Sequence, residues 1–503
     1  MKVIAMYLPQ FHRVKENDEW WGDGFTEWTT VKQAKPLFEG HAQPVVPYEK
    51  NYYDLSEKNT MQWQAYLMKK YGVDGVCMYH YWFKDGKRIL EKPAENLLLW
   101  KDVDMPFCFC WANETWARTW SSLSNVNVWA STLEKKSFDG KCILLEQKYG
   151  EENEWILHFD YLLEFFKDER YIKFDNKPVF MIYRPELMPC VERMLLLWND
   201  LAIKAGFAGL YLIGGDRGEY SGIHDASFDK IVSWEPINSI SELDAQGYGK
   251  KKSNALVLKY DDIWNYILNR KINIDKRIFG GVVGYDDTPR RGYQGMMIEG
   301  ASPKKFAKYF TELLAKNAAI DNEIVFINAW NEWGEGMYLE PDVENEYAYL
   351  EAIDYAKSNY GKYVEKYRKL HESQVHRISI EARNRHYFTV LEKWIELKYK
   401  GIKLQDYFLN KGYTSVAMYG YGILAKFMEV ELQDSSVKIE YVIDKNKEQI
   451  DCNYQVFNLE DNLPVVDIIV ITATFSTGVI FANLWEKGYR NIISLEEIII
   501  ESA

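Results

Sequence analysis

The stretch INAWNEWGEG, residues 327–336, ends an apolar run with two carboxylates three positions apart. Glu332 and Glu335 are accompanied there by Asn331, Trp333 and two glycines. A carboxylate near the interior of a sheet or barrel loses solvation, so its presence indicates that its charge is used. Paired carboxyl groups in an aromatic cleft are the equipment of glycosidic bond cleavage, in which one group donates a proton and the other acts as base or nucleophile. Glu332 and Glu335 are therefore the predicted catalytic residues.

Other side chains suit a cleft that binds a hydroxyl-rich ligand, because such ligands need ring faces for stacking and directional hydrogen bonds. The predicted substrate-binding residues are Glu27, Trp28, His80, Trp82, Trp111, Asn113, Glu114, Trp116, Asp286, Asn331 and Trp333. His80 is alternatively a structural histidine between two tyrosines, and Glu114 is alternatively the ion-pair partner of Arg118. Arg290 and Arg291 suit an acidic sugar or a phosphate.

Composition and charge narrow the classes of partner. The formal net charge of −13 disfavours nucleic acid, since a phosphate backbone would be repelled. The eight histidines are scattered and the six cysteines lack metal-ribbon spacing, so no metal is predicted. The N-terminal residues lack the pattern of a signal peptide, and no apolar window is long enough to cross a bilayer. The sequence therefore predicts a cytoplasmic protein with no transmembrane segment.

Apolar runs that predict strands alternate with helical segments along the first two thirds of the chain, and these elements must position the candidate residues. Eight apolar runs lie at residues 3–11, 75–83, 106–114, 178–185, 209–216, 231–236, 278–287 and 324–333, each ending in polar or aromatic residues. Segments with helical periodicity separate many of them, at residues 57–72, 151–168, 191–206 and 302–317. This alternation predicts an α/β fold, a (β/α)₈ TIM barrel with long loop insertions over residues 1–370. Because the carboxyl ends of barrel strands share one face, the polar run ends should converge there.

The alternation of apolar runs and helical segments that predicts the barrel ends near residue 370. Residues 371–411 indicate a helical connector, and residues 412–503 a small Rossmann-like α/β domain with strands near 415–419, 438–444, 466–474 and 491–499. Gly420 and Gly422 fit the G-x-G-x-x-A pattern, and Asp444 ends the next strand, where a ribose-binding acid sits in the dinucleotide fingerprint. These three are candidate cofactor-binding residues for a nucleotide of unknown identity. The alternative is a module of this fold without a cofactor.

Several motifs together resemble a known family. The stretches YLPQFH, NDEWWGDGFTEW, YHYWF, CWANETWARTW, DDTPRR and WNEWGEG look like the WbsX family of glycoside hydrolase family 99-like barrels, over essentially residues 1 to 360. That family occurs among bacterial surface-polysaccharide proteins and is often labelled glycosyltransferase. The resemblance implies an oligosaccharide or polysaccharide substrate of the O-antigen or capsule type, association with polysaccharide-synthesis machinery, and no cofactor for the barrel.

The E-x-x-E signature is similar to that of retaining endo-α-mannosidases. That likeness implies that Glu332 is the base that deprotonates the sugar 2-hydroxyl and that Glu335 is the general acid and then base. The long N-terminal block belongs to the WbsX pattern instead, so a mannose-type substrate does not follow.

Three functions remain open from the sequence. The first is a retaining glycoside hydrolase or transglycosidase. The second is a glycosyltransferase that uses an activated sugar donor, although no D-x-D-like site ends any strand. The third is a noncatalytic sugar-binding scaffold.

Overall fold

The structure of the chain is a computed structural model that describes residues 1–117, 143–218, 227–271, 276–374, 380–473 and 477–502. The chain forms two compact units. The first contains Met1–Arg184, Leu201–Gly218 and Lys230–Ile378, and the second contains Pro185–Asp200, Glu219–Asp229 and Ser379–Ala503. The domain boundaries placed at residues 370 and 411 stay predictions.

Eight parallel strands close into a barrel in the first unit. They are β1 (Lys2–Tyr7), β2 (Gly75–His80), β3 (Phe107–Trp111), β4 (Lys177–Ile182), β5 (Tyr211–Asp216), β6 (Lys230–Ser233), β7 (Arg277–Phe279 and Gly281–Val282) and β8 (Ile324–Asn328). Each pairs in parallel with its neighbour in chain order, and β8 returns to β1. All eight predicted runs supply one strand each, which confirms the (β/α)₈ barrel.

Strand β7 changes partner at a glycine. Its first part pairs with β6 and its second part with β8. Between them lies Gly280, where a Cβ atom would stand 2.4 Å from the backbone oxygen of Ser233. Such an approach excludes any side chain, so glycine is required where the barrel closes.

Helices separate the strands along the chain. Those of the first 374 residues are Lys15–Trp21, Glu27–Gln33, Lys58–Tyr71, Lys92–Leu99, Glu152–Phe166, Val191–Lys204, Ile237–Ala245, Tyr260–Asn269, Thr288–Arg291, Pro303–Ala318, Ala348–Asn359 and Val364–Gln374. The four predicted helical segments appear within two residues of their predicted ends. In Pro303–Ala318, the Ser302 hydroxyl accepts the Lys305 amide as an N-cap, and Phe306, Phe310 and Leu313 are buried at helical spacing.

The insertions in this unit carry short strands of their own. Trp116–Ala117 pairs with Ile143–Leu145, Lys173–Phe174 pairs with β4, Ala255–Lys259 lies between Lys250–Lys252 and Met296–Glu299, and Asn331–Glu332 pairs with Met337–Tyr338. The last of these hairpins follows β8 directly. It therefore stands at the carboxyl face of the barrel, where the sequence placed the site.

The second unit contains a five-stranded parallel sheet. Its strands are β9 (Ser415–Tyr419), β10 (Lys438–Ile443), β11 (Gln455–Phe457), β12 (Ile468–Ile471) and β13 (Ile492–Ser494), in the order β11-β10-β9-β12-β13. This order is that of a doubly wound sheet. The helices are Ile380–Tyr399, Leu404–Asn410, Ile423–Leu432, Thr477–Glu486 and Leu495–Ser502.

Two details of this sheet differ from the sequence prediction. Strand β11 lacks a long apolar run and was not predicted. The predicted strand at 491–499 is a strand only over β13, because Leu495–Ser502 is a helix whose Leu495, Ile498 and Ile499 are buried. A short run of apolar residues does not by itself distinguish the two structures.

None of the helices in the described part of the chain has the length and apolar content needed to cross a membrane.

Candidate active site

The two catalytic candidates lie on one tight turn after β8. Glu332 ends the short strand Asn331–Glu332, and Glu335 ends the single helical turn Trp333–Glu335. Gly336 then adopts a left-handed conformation, with φ of 62°, and the chain returns as Met337–Tyr338. A Cβ atom at Gly336 would lie 2.9 Å from the Asp286 amide nitrogen, so the second glycine of the motif is fixed by geometry.

One guanidinium joins three carboxylates at this turn. The Nε atom of Arg290 donates to Glu27 at 2.7 Å, and its Nη2 atom donates to Glu332 at 3.0 Å. The Nη1 atom of Arg290 also forms an ion pair with Glu335. Glu27 begins the helix Glu27–Gln33 after β1, and Arg290 lies in the helix Thr288–Arg291 after β7. We call these four residues the carboxylate–arginine cluster.

Charge is unevenly balanced in the carboxylate–arginine cluster, since three carboxylates share one cation. Burial raises the pKa of Glu332, and the neighbouring charges of Glu335 and Glu27 raise it further against the opposing effect of Arg290. The same carboxylates raise the pKa of Arg290 despite its burial, so the guanidinium stays charged. A carboxyl group with a raised pKa is a stronger base when ionised, which is the property that proton abstraction needs.

Gly334 allows this cluster to assemble. A Cβ atom at position 334 would lie 1.9 Å from Glu27 Oε1 and 2.9 Å from Arg290 Nε. The turn therefore packs directly on the Glu27–Arg290 ion pair. The side chain of Glu335 is 27% exposed, against 6% for Glu332, so Glu335 is the more accessible to solvent.

Four tyrosines that were not among the predicted site residues interact electrostatically with the carboxylates. Burial, and after it the charge of Glu332, raises the pKa of the Tyr79 and Tyr81 phenols. Burial and then Glu335 raise the pKa of Tyr285, and Glu335 also acts on Tyr183, whose pKa burial raises. The signal was present in YHYWF, since alternate residues of a strand point to opposite faces, but the sequence does not say which face is inward.

His80, Trp82 and Trp111, which the sequence predicts to bind substrate, pack around the ring of His158, and substrate binding by them stays a prediction. His80 Nε2 is 2.8 Å from His158 Nε2, Trp82 stacks on the His158 ring at 4.3 Å, and Trp111 meets that ring edge-on at 4.8 Å. Tyr79 is oriented toward Glu332, so the next residue of the strand, His80, points to the opposite face. Burial lowers the pKa of His80 to about 3, so it is neutral and packs as part of the barrel wall. The structural alternative for His80 is therefore the one that the structure favours.

We call the turn at residues 331–336, which carries both catalytic candidates, the catalytic turn. Its back packs against a further buried carboxyl group, that of Glu340. Its Oε1 atom accepts from Trp330 Nε1 at 2.8 Å and Gln64 Nε2 at 2.7 Å, and its Oε2 atom accepts from Trp333 Nε1 at 2.7 Å and the Tyr53 hydroxyl at 2.8 Å. Burial raises its pKa to about 7. Trp330 and Trp333 bracket Glu332, so Glu340 fixes the segment that carries it. No motif marked Glu340 in the sequence.

Two further predicted residues support the turn from behind. Asn331 is fully buried and bonds both backbone groups of Leu8, at 2.8 Å to the nitrogen and 3.0 Å to the oxygen. Trp28 donates to the Tyr53 carbonyl at 2.8 Å and packs on Trp333 with ring centroids 5.5 Å apart. Both are therefore positioned to hold the turn against the end of β1.

Asp286 anchors the turn from the side of β7. Its carboxylate accepts from His41 at 2.8 Å and Gln43 at 2.7 Å, and also from Thr288. Its backbone nitrogen donates to the Glu335 carbonyl at 2.7 Å. Burial opposes ionisation of this carboxyl group, but these hydrogen bonds prevail and lower its pKa. Asp286 thus positions Glu335, while Arg291 pairs with Asp287 at 3.3 Å.

The remaining predicted residues follow β3. Asn113 bonds the backbone nitrogen and oxygen of Arg184 at 2.8 Å each, and Glu114 forms ion pairs with Arg184 at 2.9 Å and Arg217 at 3.1 Å. The alternative partner Arg118 lies outside the described residues. Trp116 packs edge-on against the Tyr81 ring, with centroids 5.2 Å apart. It therefore contacts one of the tyrosines whose pKa the charge of Glu332 raises.

Across the residues that the structure describes, no group of three or more His, Cys, Asp or Glu side chains is arranged to hold a metal ion.

In the second unit, Asp444 lies at the turn that contains Gly420 and Gly422 and accepts the amides of Tyr421 at 3.1 Å and Asn446 at 2.8 Å. These three predicted residues are thus adjacent, and nucleotide binding there stays a prediction.

The fold and this site define a (β/α)₈-barrel protein with paired carboxylates at the carboxyl face of its strands. The family described as Glycosyltransferase WbsX matches residues 3–353, and the chain belongs to that family. Membership places it in a family of carbohydrate-active proteins.

Two curated relatives are similar to the same part of the chain. Both are described as the uncharacterized protein WxcX, from two strains of Xanthomonas campestris pv. campestris. They are 33% and 32% identical over 356 residues, which is 70% of this chain and 48% of each relative. The chain thus spans about half the length of the curated relatives that it matches.

Among solved structures, a glycoside hydrolase family 99 endo-alpha-mannosidase from Bacteroides thetaiotaomicron is similar at 15% identity, with a TM-score of 0.44, over 72% of this chain and 97% of that one. A glycoside hydrolase-like protein is similar at 13% identity, with a TM-score of 0.41, over 71% of this chain and 93% of that one. The barrel assignment itself follows from the closed strand pairing described above.

Proposed function

We propose that the protein is an enzyme that acts on glycosidic bonds with retention of configuration, as a glycoside hydrolase or transglycosidase. The observation that carries this proposal is the convergence of Glu332 and Glu335 on Arg290 at the carboxyl face of the barrel. Such a site has two carboxyl groups of unequal burial, which suits two different roles in proton transfer.

The two roles are those implied by the likeness of the E-x-x-E signature to that of retaining endo-α-mannosidases. That likeness gives Glu332, the more buried group, the role of the base that takes the proton of the sugar 2-hydroxyl. It acts in its ionised form, which the raised pKa makes more basic. The freed oxygen attacks the anomeric carbon, and the bond to the leaving oxygen breaks as Glu335 protonates that oxygen. Glu335, the more exposed group, then takes a proton from water or an acceptor hydroxyl, which opens the 1,2-anhydro sugar, and Glu332 returns its proton to the 2-oxygen.

Arg290 keeps these groups at fixed separations through the cycle. It stays cationic and bonds both carboxylates, so it opposes their mutual repulsion when both are ionised. Glu27 holds the third side of the guanidinium and thereby orients it. The surrounding tyrosines supply hydroxyl groups and ring faces for a sugar.

The family description supports a second candidate, a glycosyltransferase that uses an activated sugar donor. Under either candidate, we propose a bacterial surface polysaccharide of the O-antigen or capsule type as the substrate. Association with polysaccharide-synthesis machinery and a cytoplasmic location stay predictions.

The experiment that separates the candidates is an activity assay on α-linked bacterial oligosaccharides, with and without nucleotide sugars, read by mass spectrometry. Wild type should shorten at least one oligosaccharide without a nucleotide sugar, and Glu335→Gln should lose about 10²–10⁴-fold of that activity, the usual contribution of a positioned acid or base. Glu344→Gln, an exposed change nearby, is the matched control and should match wild type. Chain extension only with a nucleotide sugar would overturn the hydrolase proposal in favour of the transferase.

A further inference from the structure

A concave surface of the barrel unit is lined by none of the residues of the carboxylate–arginine cluster. Its volume is about 540 Å³, and it is lined by four aromatic rings together with residues 49–51. The rings belong to Tyr48, Tyr52, Trp63 and Tyr347. We call this surface the tyrosine cleft.

The rim of the tyrosine cleft is held by the chain that follows the catalytic turn. The Tyr48 amide donates to the Pro341 carbonyl at 2.9 Å, and the Val343 amide donates to the Val46 carbonyl at 2.9 Å. Glu340, which bonds Trp330 and Trp333, immediately precedes this pairing. The cleft is therefore part of the framework that supports the catalytic turn.

The backbone of the rim is held in an unusual conformation. Glu49 and Lys50 both have a φ of 55°, in the left-handed region that L residues adopt only when their surroundings impose it. The Tyr52 amide closes the loop by donating to the Lys50 carbonyl at 2.8 Å. The consequence is a fixed rim in which residues 49–51 are exposed beside the rings.

The chemistry of the lining suits a saccharide. All four rings are half-buried, so each is anchored while part of it remains accessible. Glu49, Lys50 and Asn51 add an acceptor, a donor and an amide at the rim. Ring faces beside a few polar groups match a ligand with apolar C–H faces and many hydroxyl groups.

Ring contacts connect the tyrosine cleft to the catalytic turn. Tyr52 meets Trp28 edge-on with centroids 5.2 Å apart, and Trp28 packs on Trp333 at 5.5 Å. Trp333 adjoins Glu332 in the sequence. Packed rings therefore connect Tyr52 of the cleft to Trp333, the residue beside Glu332.

We propose that the tyrosine cleft is a second saccharide-binding site, which holds part of a polymeric substrate outside the catalytic turn. This inference rests on the proposed function, because it takes the same class of ligand. The cleft lies outside the catalytic turn, so removing its rings should weaken the interaction with a long polysaccharide more than it lowers the rate of cleavage of a short one.

The test is affinity gel electrophoresis of the Glu335→Gln protein in gels that contain α-mannan, dextran, laminarin or polygalacturonate. At least one polymer should retard this protein. Adding Trp63→Ala and Tyr347→Ala should weaken the apparent affinity about tenfold, which corresponds to about 1.4 kcal/mol. Asn51→Ala, an exposed change that opens no core cavity, should weaken it about two- to threefold through one lost hydrogen bond. Tyr248→Ala removes a ring that is 52% exposed elsewhere and is the matched control.

The outcomes separate this inference from the proposed function. Full retardation of the ring and Asn51 variants, or no retardation of the parent in any gel, overturns the second site. Loss of retardation in the cleft variants, with the Tyr248→Ala control unchanged, supports the second saccharide-binding site. This holds even if the wild-type protein cleaves no substrate, and in that case only the proposed function fails.

Discussion

Two buried carboxyl groups, Glu332 and Glu340, lie on the front and back of the same turn and are held in different ways. Glu332 shares a single guanidinium with two other carboxylates, whereas Glu340 accepts four hydrogen bonds from neutral donors. Burial raises the pKa of both. The shared cation leaves Glu332 able to exchange a proton, while the full set of donors fixes Glu340 in place. Under the proposed function, Glu332 takes part in the chemistry, whereas Glu340 fixes the geometry of the turn.

Arg290→Met should have the largest effect, because it leaves three carboxylates clustered without their cation. Removing one partner of a buried ion pair costs about 3–5 kcal/mol. We expect a loss of that size in the free energy of unfolding, measured by urea denaturation, together with loss of activity. Arg368→Met is the control, since Arg368 pairs with Glu365 where the two side chains are 51% and 64% exposed, and such surface pairs contribute at most about 1 kcal/mol. Equal losses in the two variants would contradict the account of the front of the turn.

Glu340→Gln should destabilise the back of the turn by a smaller amount, about 1–3 kcal/mol, because an amide cannot accept all four donors. It should also change the pH dependence of stability. The pKa of Glu340 is about 7 in the folded protein, against an ordinary value of about 4.3 in the unfolded chain.

The folded protein therefore binds the additional proton between these two pH values, and its stability falls as pH rises through that window. Glu332 acts in the same direction, so some of the fall persists in the variant. Melting temperatures from pH 5 to pH 8 should decline more in wild type than in Glu340→Gln. An identical decline in both would show that Glu340 does not titrate in this way.

Gly334→Ala should act on the front of the turn alone. Its Cβ atom would displace Glu27 from Arg290, since that atom would lie only 1.9 Å from Glu27 Oε1. We expect kcat to fall about tenfold or more, because a small misplacement of catalytic groups lowers the rate steeply. The contrasting variant is Gly361→Ala, where a Cβ atom would meet nothing within 4 Å, and it should match wild type.

His80→Phe should have the smallest effect on activity, since His80 faces His158 on the other side of the barrel wall from Tyr79. Loss of its hydrogen bond to His158 should cost about 1 kcal/mol of stability. The KM for an oligosaccharide should stay within about twofold of wild type, as expected for a residue that makes no contact with substrate. A large rise in KM with unchanged melting temperature would restore His80 as a substrate-binding residue.

Sequence periodicity predicted the barrel because eight apolar runs each needed burial on both faces, and each became a strand. It predicted Glu332 and Glu335 because two carboxylates at the end of an apolar run have few structural reasons to be there, and it predicted Glu27 as a polar group suited to a hydroxyl-rich ligand. It did not distinguish Tyr79 from His80, since strand alternation gives two faces without saying which is inward. It did not identify Glu340 or the role of Arg290, because both depend on contacts between distant segments.

The most direct test of the central claim compares leaving groups. Glu335→Gln and Glu332→Gln should be assayed on a substrate with a sugar leaving group and on its dinitrophenyl counterpart, with kcat/KM measured for each. A dinitrophenolate departs without protonation, so Glu335→Gln should lose about 10²–10⁴-fold on the sugar and far less on the dinitrophenyl glycoside, while Glu332→Gln should lose activity on both. Equal losses for Glu335→Gln on the two substrates, or full activity of Glu332→Gln, would contradict the assignment of acid and base on this turn.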